Sequence, residues 1–191
     1  MAPRIFIIHG WDGSPQGCWL PWLKERLEQQ GVAVQVPTMP QPENPVIADW
    51  VNQLASIVGE PDKETYFVGH SIGCQTILRY VEQSQKPIGG IVCVAGWFRL
   101  PHLATAEEKR IARPWLETPM DFDKIRQRAG KIIAIFSDND PDVDLGDKEL
   151  FEKNLNAKTI IEHGKGHFSD DAGVTELPSA LAVVEELIEK K

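Results

Sequence analysis

Hydrophobic positions along the chain fall into two alternating patterns. Short dense runs, mostly Ile, Val and Phe, occupy residues 4–8, 32–36, 65–68, 88–95, 131–136 and 159–161, as expected of parallel strands buried on both faces. Between them lie stretches with helical spacing: Leu20, Leu23 and Leu27 before Gly31; Ile47, Val51, Leu54, Ile57 and Val58 before Gly59; and residues 72–81, 150–155 and 177–188. A glycine just beyond the last periodic residue is a helix stop signal. Strand and helix in alternation predict an α/β fold, a doubly wound and mostly parallel six-stranded sheet with helices on both faces.

One stretch breaks the alternation. Residues 96–129 carry scattered prolines, the large apolar groups Trp97, Phe98 and Trp115, and the charged run Glu107-Glu108-Lys109-Arg110. It reads either as a partly helical insertion after the fourth strand, placed over the site as a lid, or as a long crossover helix with irregular ends. No repeat or long linker divides the chain, so a single domain over 1–191 is expected, with 96–129 as its possible lid.

The chemistry concentrates at strand ends. Gly69-His70-Ser71-Ile72-Gly73 stands between a dense strand and a helix pattern, the setting of a nucleophile elbow. The Gly-x-Ser-x-Gly pattern fixes only three positions, so its weight comes from that setting. A serine in a strained turn leaves no room for side chains two residues before and after it, and glycines remove the collision. The same turn aims the Ile72 N–H at an oxygen that turns negative when Ser71 attacks a carbonyl. The second donor of this oxyanion hole is expected from the loop after the first strand, His9-Gly10-Trp11-Asp12-Gly13-Ser14, through the Trp11 N–H. With strands ordered 2-1-3-4-5-6, both loops open at the switch point between strands 1 and 3.

A serine hydroxyl needs a base, and the base needs an acid that fixes its tautomer. The histidines after the last strand, His163 and His167, suit the chain order Ser, acid, His; Gly166-His167-Phe168, in a glycine-loosened loop, is the better placed. The loop after the fifth strand, Ser137 to Asp144, offers four aspartates. Asp140, in Asp-Pro-x-Val, is preferred as the acid and Asp138 is the alternative. Asp140, Asp142 and Asp144 alternate as in a calcium loop, but Leu145 stands where the turn glycine belongs and Phe151 where the last acid belongs. No metal and no cofactor are expected.

These residues resemble the small serine hydrolases typified by retinoblastoma-binding protein nine, of the α/β-hydrolase fold. The likeness rests on the compact length, His9-Gly10, Trp19-Leu20-Pro21-Trp22-Leu23, the Ser71 elbow, Asp140-Pro141 and Gly166-His167-Phe168. It implies a Ser71-Asp140-His167 triad. The expected reaction is cleavage of small esters or activated amides through an acyl-enzyme on Ser71. The family often has a proline where Asp144 stands, which leaves the acid the softest of the three. Retinoblastoma-type binding calls for Leu-x-Cys-x-Glu, and none of Cys18, Cys74 and Cys93 lies in that context, so that property is not expected.

Composition narrows the remaining classes. A formal charge of −8 and a pI near 5.1 argue against nucleic acid, whose affinity rests on Lys and Arg. The opening apolar run is too short for a signal core and nothing later reaches membrane-spanning length, so a cytoplasmic protein without a membrane partner is expected. No cysteine pair has zinc or redox spacing. Six tryptophans are present. Trp11 and Trp97 are candidate walls of an apolar acyl pocket, while Trp22 and Trp50, within helix patterns, read as packing. The alternative from a different class is a partner-binding scaffold with a hydrolase fold and little physiological catalysis. A cofactor-binding domain is disfavoured because Gly10 to Ser14 lacks the phosphate-cradling glycine patterns.

Overall fold

Residues 2–189 are described in a computed structural model of the chain. Six strands, β1 (Arg4–Ile8), β2 (Ala33–Gln35), β3 (Thr65–His70), β4 (Gly90–Val94), β5 (Lys131–Ser137) and β6 (Lys158–Glu162), form one sheet in the order β2-β1-β3-β4-β5-β6. Every neighbouring pair is parallel. Alternate residues of the four inner strands, β1, β3, β4 and β5, therefore feed two cores, whereas the edge strands β2 and β6, expected from their apolar runs to be buried on both faces, are partly exposed because each has a neighbour on one side only. Phe6, Ile8, Phe67, Ile91, Cys93, Ile132, Ala134 and Phe136 point to one face. Ile5, Ile7, Tyr66, Val68, Val92, Val94, Ile133 and Ile135 point to the other. Two-sided burial is what the unbroken apolar runs encode.

The first face is covered by α2 (Ile47–Val58), α3 (Ile72–Gln83), α5 (Phe122–Arg128) and α6 (Asp147–Leu155), the second by α1 (Leu20–Gln29) and α7 (Pro178–Glu189). Helix α1 carries a proline in its first turn, where the missing N–H costs nothing. Gly31 (φ 80°) and Gly59 (φ 64°) follow α1 and α2 in the left-handed region. None of the described helices is long and apolar enough to cross a membrane.

The sequence reading of residues 96–129 is resolved into two unlike parts. Helix α4 (Ala106–Glu117) opens on a capping box: Thr105 Oγ1 accepts from Glu108 N–H at 3.0 Å, and Glu108 Oε2 accepts from Thr105 N–H at 2.8 Å. This Thr-x-x-Glu signal is hidden by the charged run around it and by Pro114 inside the helix. Asp121 caps α5, which packs against α3 and α6 as the true crossover between β4 and β5. The loop before α4 and the start of α4 instead line a cleft at the carboxyl ends of the strands. Elsewhere β3 runs on to His70, and β2 is shorter than its apolar run because Val32 and Val36 fall outside its pairing with β1.

Candidate active site

Ser71 sits between β3 and α3 with φ 52° and ψ −120°, and its N–H donates to Val94 O at 2.9 Å. Such a backbone costs about 1–3 kcal/mol for a residue with a side chain. Both flanking glycines are required by contact. A Cβ on Gly69 would stand 2.7 Å from Cys74 N, inside the first turn of α3. One on Gly73 would run into Ile8 O and lie 2.8 Å from His9 O, at the end of β1. The glycines thus let helix, elbow and neighbouring strand close on one another. Beneath the turn, the buried Cys74 thiol donates to Gly69 O at 3.2 Å, and burial pushes that thiol well above its usual range.

The loop after β1 is braced from inside by His9. Its Nδ1–H donates to Gly10 O at 2.8 Å and its Nε2 accepts from Met39 N–H at 3.0 Å, while the ring meets Trp50 edge-on. Burial lowers the His9 pKa, so the ring remains neutral in the tautomer that these partners demand. Gly10 abuts the elbow: a Cβ there would be 3.1 Å from His70 Nδ1 and 3.4 Å from Ser71 Cβ. The chain then turns through Asp12 (φ 55°), with Asp12 N–H donating to Pro42 O at 2.8 Å. Among the described residues Trp11 N–H has no acceptor, and Ile72 N–H, at the start of α3, has none within its helix.

The loop after β6 brings in His167 between two left-handed residues, Gly166 (φ 52°) and Phe168 (φ 53°). His167 Nδ1 is 2.9 Å from Oδ2 and 3.1 Å from Oδ1 of Asp140, whose side chain is 2% exposed. Asp140 Oδ1 also accepts the backbone N–H groups of Asp142 (2.9 Å) and Val143 (3.0 Å). The carboxylate thereby holds its own turn and the imidazole together. The alternative pair is also formed, but elsewhere: His163 Nδ1 meets Asp138 Oδ2 at 2.6 Å, with the His163 side chain 85% exposed, and neither residue lines the cleft. Asp142 Oδ2 lies 3.9 Å from His167 Nδ1, so Asp140, Asp142 and His167 group their donor atoms within 4.8 Å. Asp144, the third acid of the calcium-like spacing, turns away to accept Gly146 N–H.

Ser71, His167, Trp11 and Trp97 all line one cleft of about 840 Å³. Among the described residues no hydrogen bond joins Ser71 Oγ to His167. A looser nucleophile–base contact is common before substrate is bound. Trp11 is partly exposed, its Nε1–H donating to Glu43 O, whereas Trp97 lines the cleft while fully buried in the first core. Trp50 is fully buried and Trp22 packs partly against the second core. Cys18 also lines the cleft, its thiol pushed up to about 11 by burial and by Asp170.

Three supporting residues escaped sequence reasoning. Ser137 Oγ accepts Lys165 N–H at 3.0 Å, and Asn139 Oδ1 accepts Gly166 N–H at 2.9 Å, tying the His167 loop to the end of β5. His70 Nε2 is 2.8 Å from His167 O. Nothing in a single sequence marks Ser137 and Asn139 off from loop solvation, since the β5–β6 pairing brings them to the His167 loop, and His70, at the end of β3, meets that loop only through the fold.

A six-stranded parallel sheet, a strained serine turn after β3 and an Asp–His pair on the loops after β5 and β6 define an α/β-hydrolase. The sequence matches the serine hydrolase family over residues 5–186, and the chain belongs to that family: it is a serine hydrolase, an enzyme acting on ester or amide bonds. It is 34% identical to YdeN of Bacillus subtilis (strain 168), over all of this chain and 99% of that protein. It is 24% identical to the serine hydrolase RBBP9 of Rattus norvegicus, over 94% and 90%. The crystal structure of the B. subtilis ydeN product superposes with a TM-score of 0.91, covering 99% of this chain and 100% of that one at 31% identity. Est1E from Butyrivibrio proteoclasticus, solved with ferulic acid bound, shares the fold with a TM-score of 0.77 at 18% identity, over 99% and 90%.

Proposed function

We propose that the chain cleaves small ester or activated amide substrates through an acyl-enzyme on Ser71, with His167 as base and Asp140 as the acid that orients it. The observation that carries this reading is the His167 Nδ1 bond to the buried Asp140 carboxylate. A carboxylate only accepts, so Nδ1 holds the proton and Nε2 is left as the basic nitrogen on a ring that shares the Ser71 cleft. His167 takes the Ser71 proton as Oγ attacks the substrate carbonyl, and then gives it to the leaving group. The Trp11 and Ile72 N–H groups receive the oxyanion, and water repeats the cycle on the acyl group.

Trp11 and Trp97 supply the apolar wall. Among the described residues the cleft lining includes Asp12, Glu43 and Asp171 but no Lys or Arg, which favours neutral or cationic substrates over anionic ones. Residues 96–129 act in this reading as the cover, chiefly through the loop before α4. A cytoplasmic setting is retained from the sequence.

The test is labelling by a fluorophosphonate probe. Wild type is expected to react at one residue, and Ser71→Ala, with an unchanged circular-dichroism spectrum, is expected to lose the label. Undiminished labelling of Ser71→Ala overturns the assignment, and an unreactive wild type favours a scaffold.

A further inference from the structure

We infer that His70, the residue immediately before the nucleophile, is a positioning residue: its Nε2–H holds the His167 backbone carbonyl and so couples the serine turn directly to the loop that carries the base. This rests on the reading of Ser71 and His167 given above.

Three observations converge on the imidazole. Its Nε2 lies 2.8 Å from His167 O. A carbonyl can only accept, so the proton is on Nε2 and Nδ1 faces Gly10 as a bare lone pair. The ring is also wedged between aromatic neighbours, with its centroid 5.9 Å from Trp19, edge-on, and 5.2 Å from the His167 ring. Finally, the ring is 6% exposed, and burial together with the nearby His167 pushes its pKa down to about 3. A neutral donor fits here, because a fixed cation at this distance would oppose the imidazolium that forms on His167.

The need for such a tie follows from the local backbone. His167 stands between two residues in the left-handed region, and Phe168 is anchored with no exposure. Asp140 holds only the imidazole and Asn139 only the preceding N–H. The 167–168 peptide is pinned at one end by its own N–H, Phe168 N–H donating to Lys165 O at 3.0 Å, and at the other by His70 on His167 O; without the second tie the peptide plane can turn about the first and swing Nε2 of His167 relative to Ser71 Oγ. Misplacement of a base by about 1 Å can cost on the order of 100-fold in rate.

Amide substitutions separate the donor from the ring. Glutamine places its NH2 near the position of imidazole Nε2, while asparagine reaches only the position of Nδ1. With a p-nitrophenyl ester as substrate, His70→Asn and His70→Phe are expected to lower kcat about 10- to 100-fold with KM within twofold. His70→Gln is expected to recover most of that loss. The acid limb of the kcat/KM pH profile should persist in His70→Gln, because His70, with its pKa pushed down to about 3 by burial and by the nearby His167, does not supply it.

Equal losses in all three variants, tracking a common fall in thermal midpoint, would reduce His70 to packing; activity within twofold of wild type in folded His70→Phe would remove the role altogether. Disappearance of the acid limb in His70→Gln would make His70 the base instead. Fluorophosphonate labelling of the wild type separates these outcomes from failure of the Ser71 reading, which would leave wild type itself unlabelled.

Discussion

Asp140→Asn tests the charge logic of the site at one atom. In the wild type three N–H groups converge on this carboxylate: Asp142 and Val143 N–H on Oδ1, and His167 Nδ1–H, closest to Oδ2. Asparagine has one acceptor oxygen and one donor nitrogen. The two backbone donors retain the oxygen, which leaves NH2 facing His167 Nδ1. Two donors cannot share a hydrogen bond, so the imidazole shifts its proton to Nε2 and loses the lone pair that accepts from Ser71. A wrong tautomer in this kind of triad lowers kcat about 10⁴-fold, or about 5 kcal/mol of barrier at 1.36 kcal/mol per tenfold. Stability should hardly move, because the turn keeps both backbone bonds. Asp140→Ala should differ by removing those bonds as well, at a cost of roughly 1–3 kcal/mol. The assay is kcat/KM on a p-nitrophenyl ester, paired with urea denaturation. Asp140→Asn within tenfold of wild type refutes the reasoning, and a comparable collapse in Asp138→Asn would transfer the role to the surface pair.

Gly73→Ala should drive a methyl into the end of β1 and destabilise by about 1–3 kcal/mol, at roughly 2–4 °C of Tm for each kcal/mol at this chain length; an unshifted Tm would show that β1 yields freely. Matched p-nitrophenyl esters ending in trimethylammonium, methyl or carboxylate should rank in that order in kcat/KM, and the gap should narrow with salt as the Debye length falls from about 30 Å at 0.01 M to 3 Å at 1 M. A flat, salt-independent series counts against an electrostatic filter. Asp147 is fully buried beside the half-exposed Arg99, and desolvation raises its pKa in spite of that partner. Folding therefore favours its protonated form, and stability is lost as pH rises through the raised value. Wild type should gain on Asp147→Asn as the pH is lowered through the carboxylate range in chemical denaturation; the opposite trend would make Arg99 the dominant influence.

Fold and site were legible in the sequence to different depths. The inner strands β1, β3, β4 and β5 announce themselves because their apolar runs are dense enough to fill both faces, and Gly31 and Gly59 mark the ends of α1 and α2. The elbow was readable because its glycines answer contacts that any such turn must make. Helices α4 and α5 were not, since Pro114 and four adjacent charges mask a capping box whose partners are only three residues apart. For the Asp–His pair, sequence could rank but not choose: both Asp138–His163 and Asp140–His167 form, and burial and a place on the cleft separate them. The residues that hold the His167 loop, Ser137, Asn139 and His70, depend on strand neighbours far apart in sequence, which local patterns do not encode.

The twist at Ser71 makes the enzyme a sensor of its own sheet. That backbone is held against its preference by contact of α3 with the end of β1, so its stored strain is released as soon as the contact loosens. On heating or in mild denaturant, fluorophosphonate labelling of Ser71 is therefore expected to fall before the circular-dichroism signal of the two cores does. That order of loss, reactivity before fold, would place the weak point of the molecule at a few atoms where a helix meets a strand.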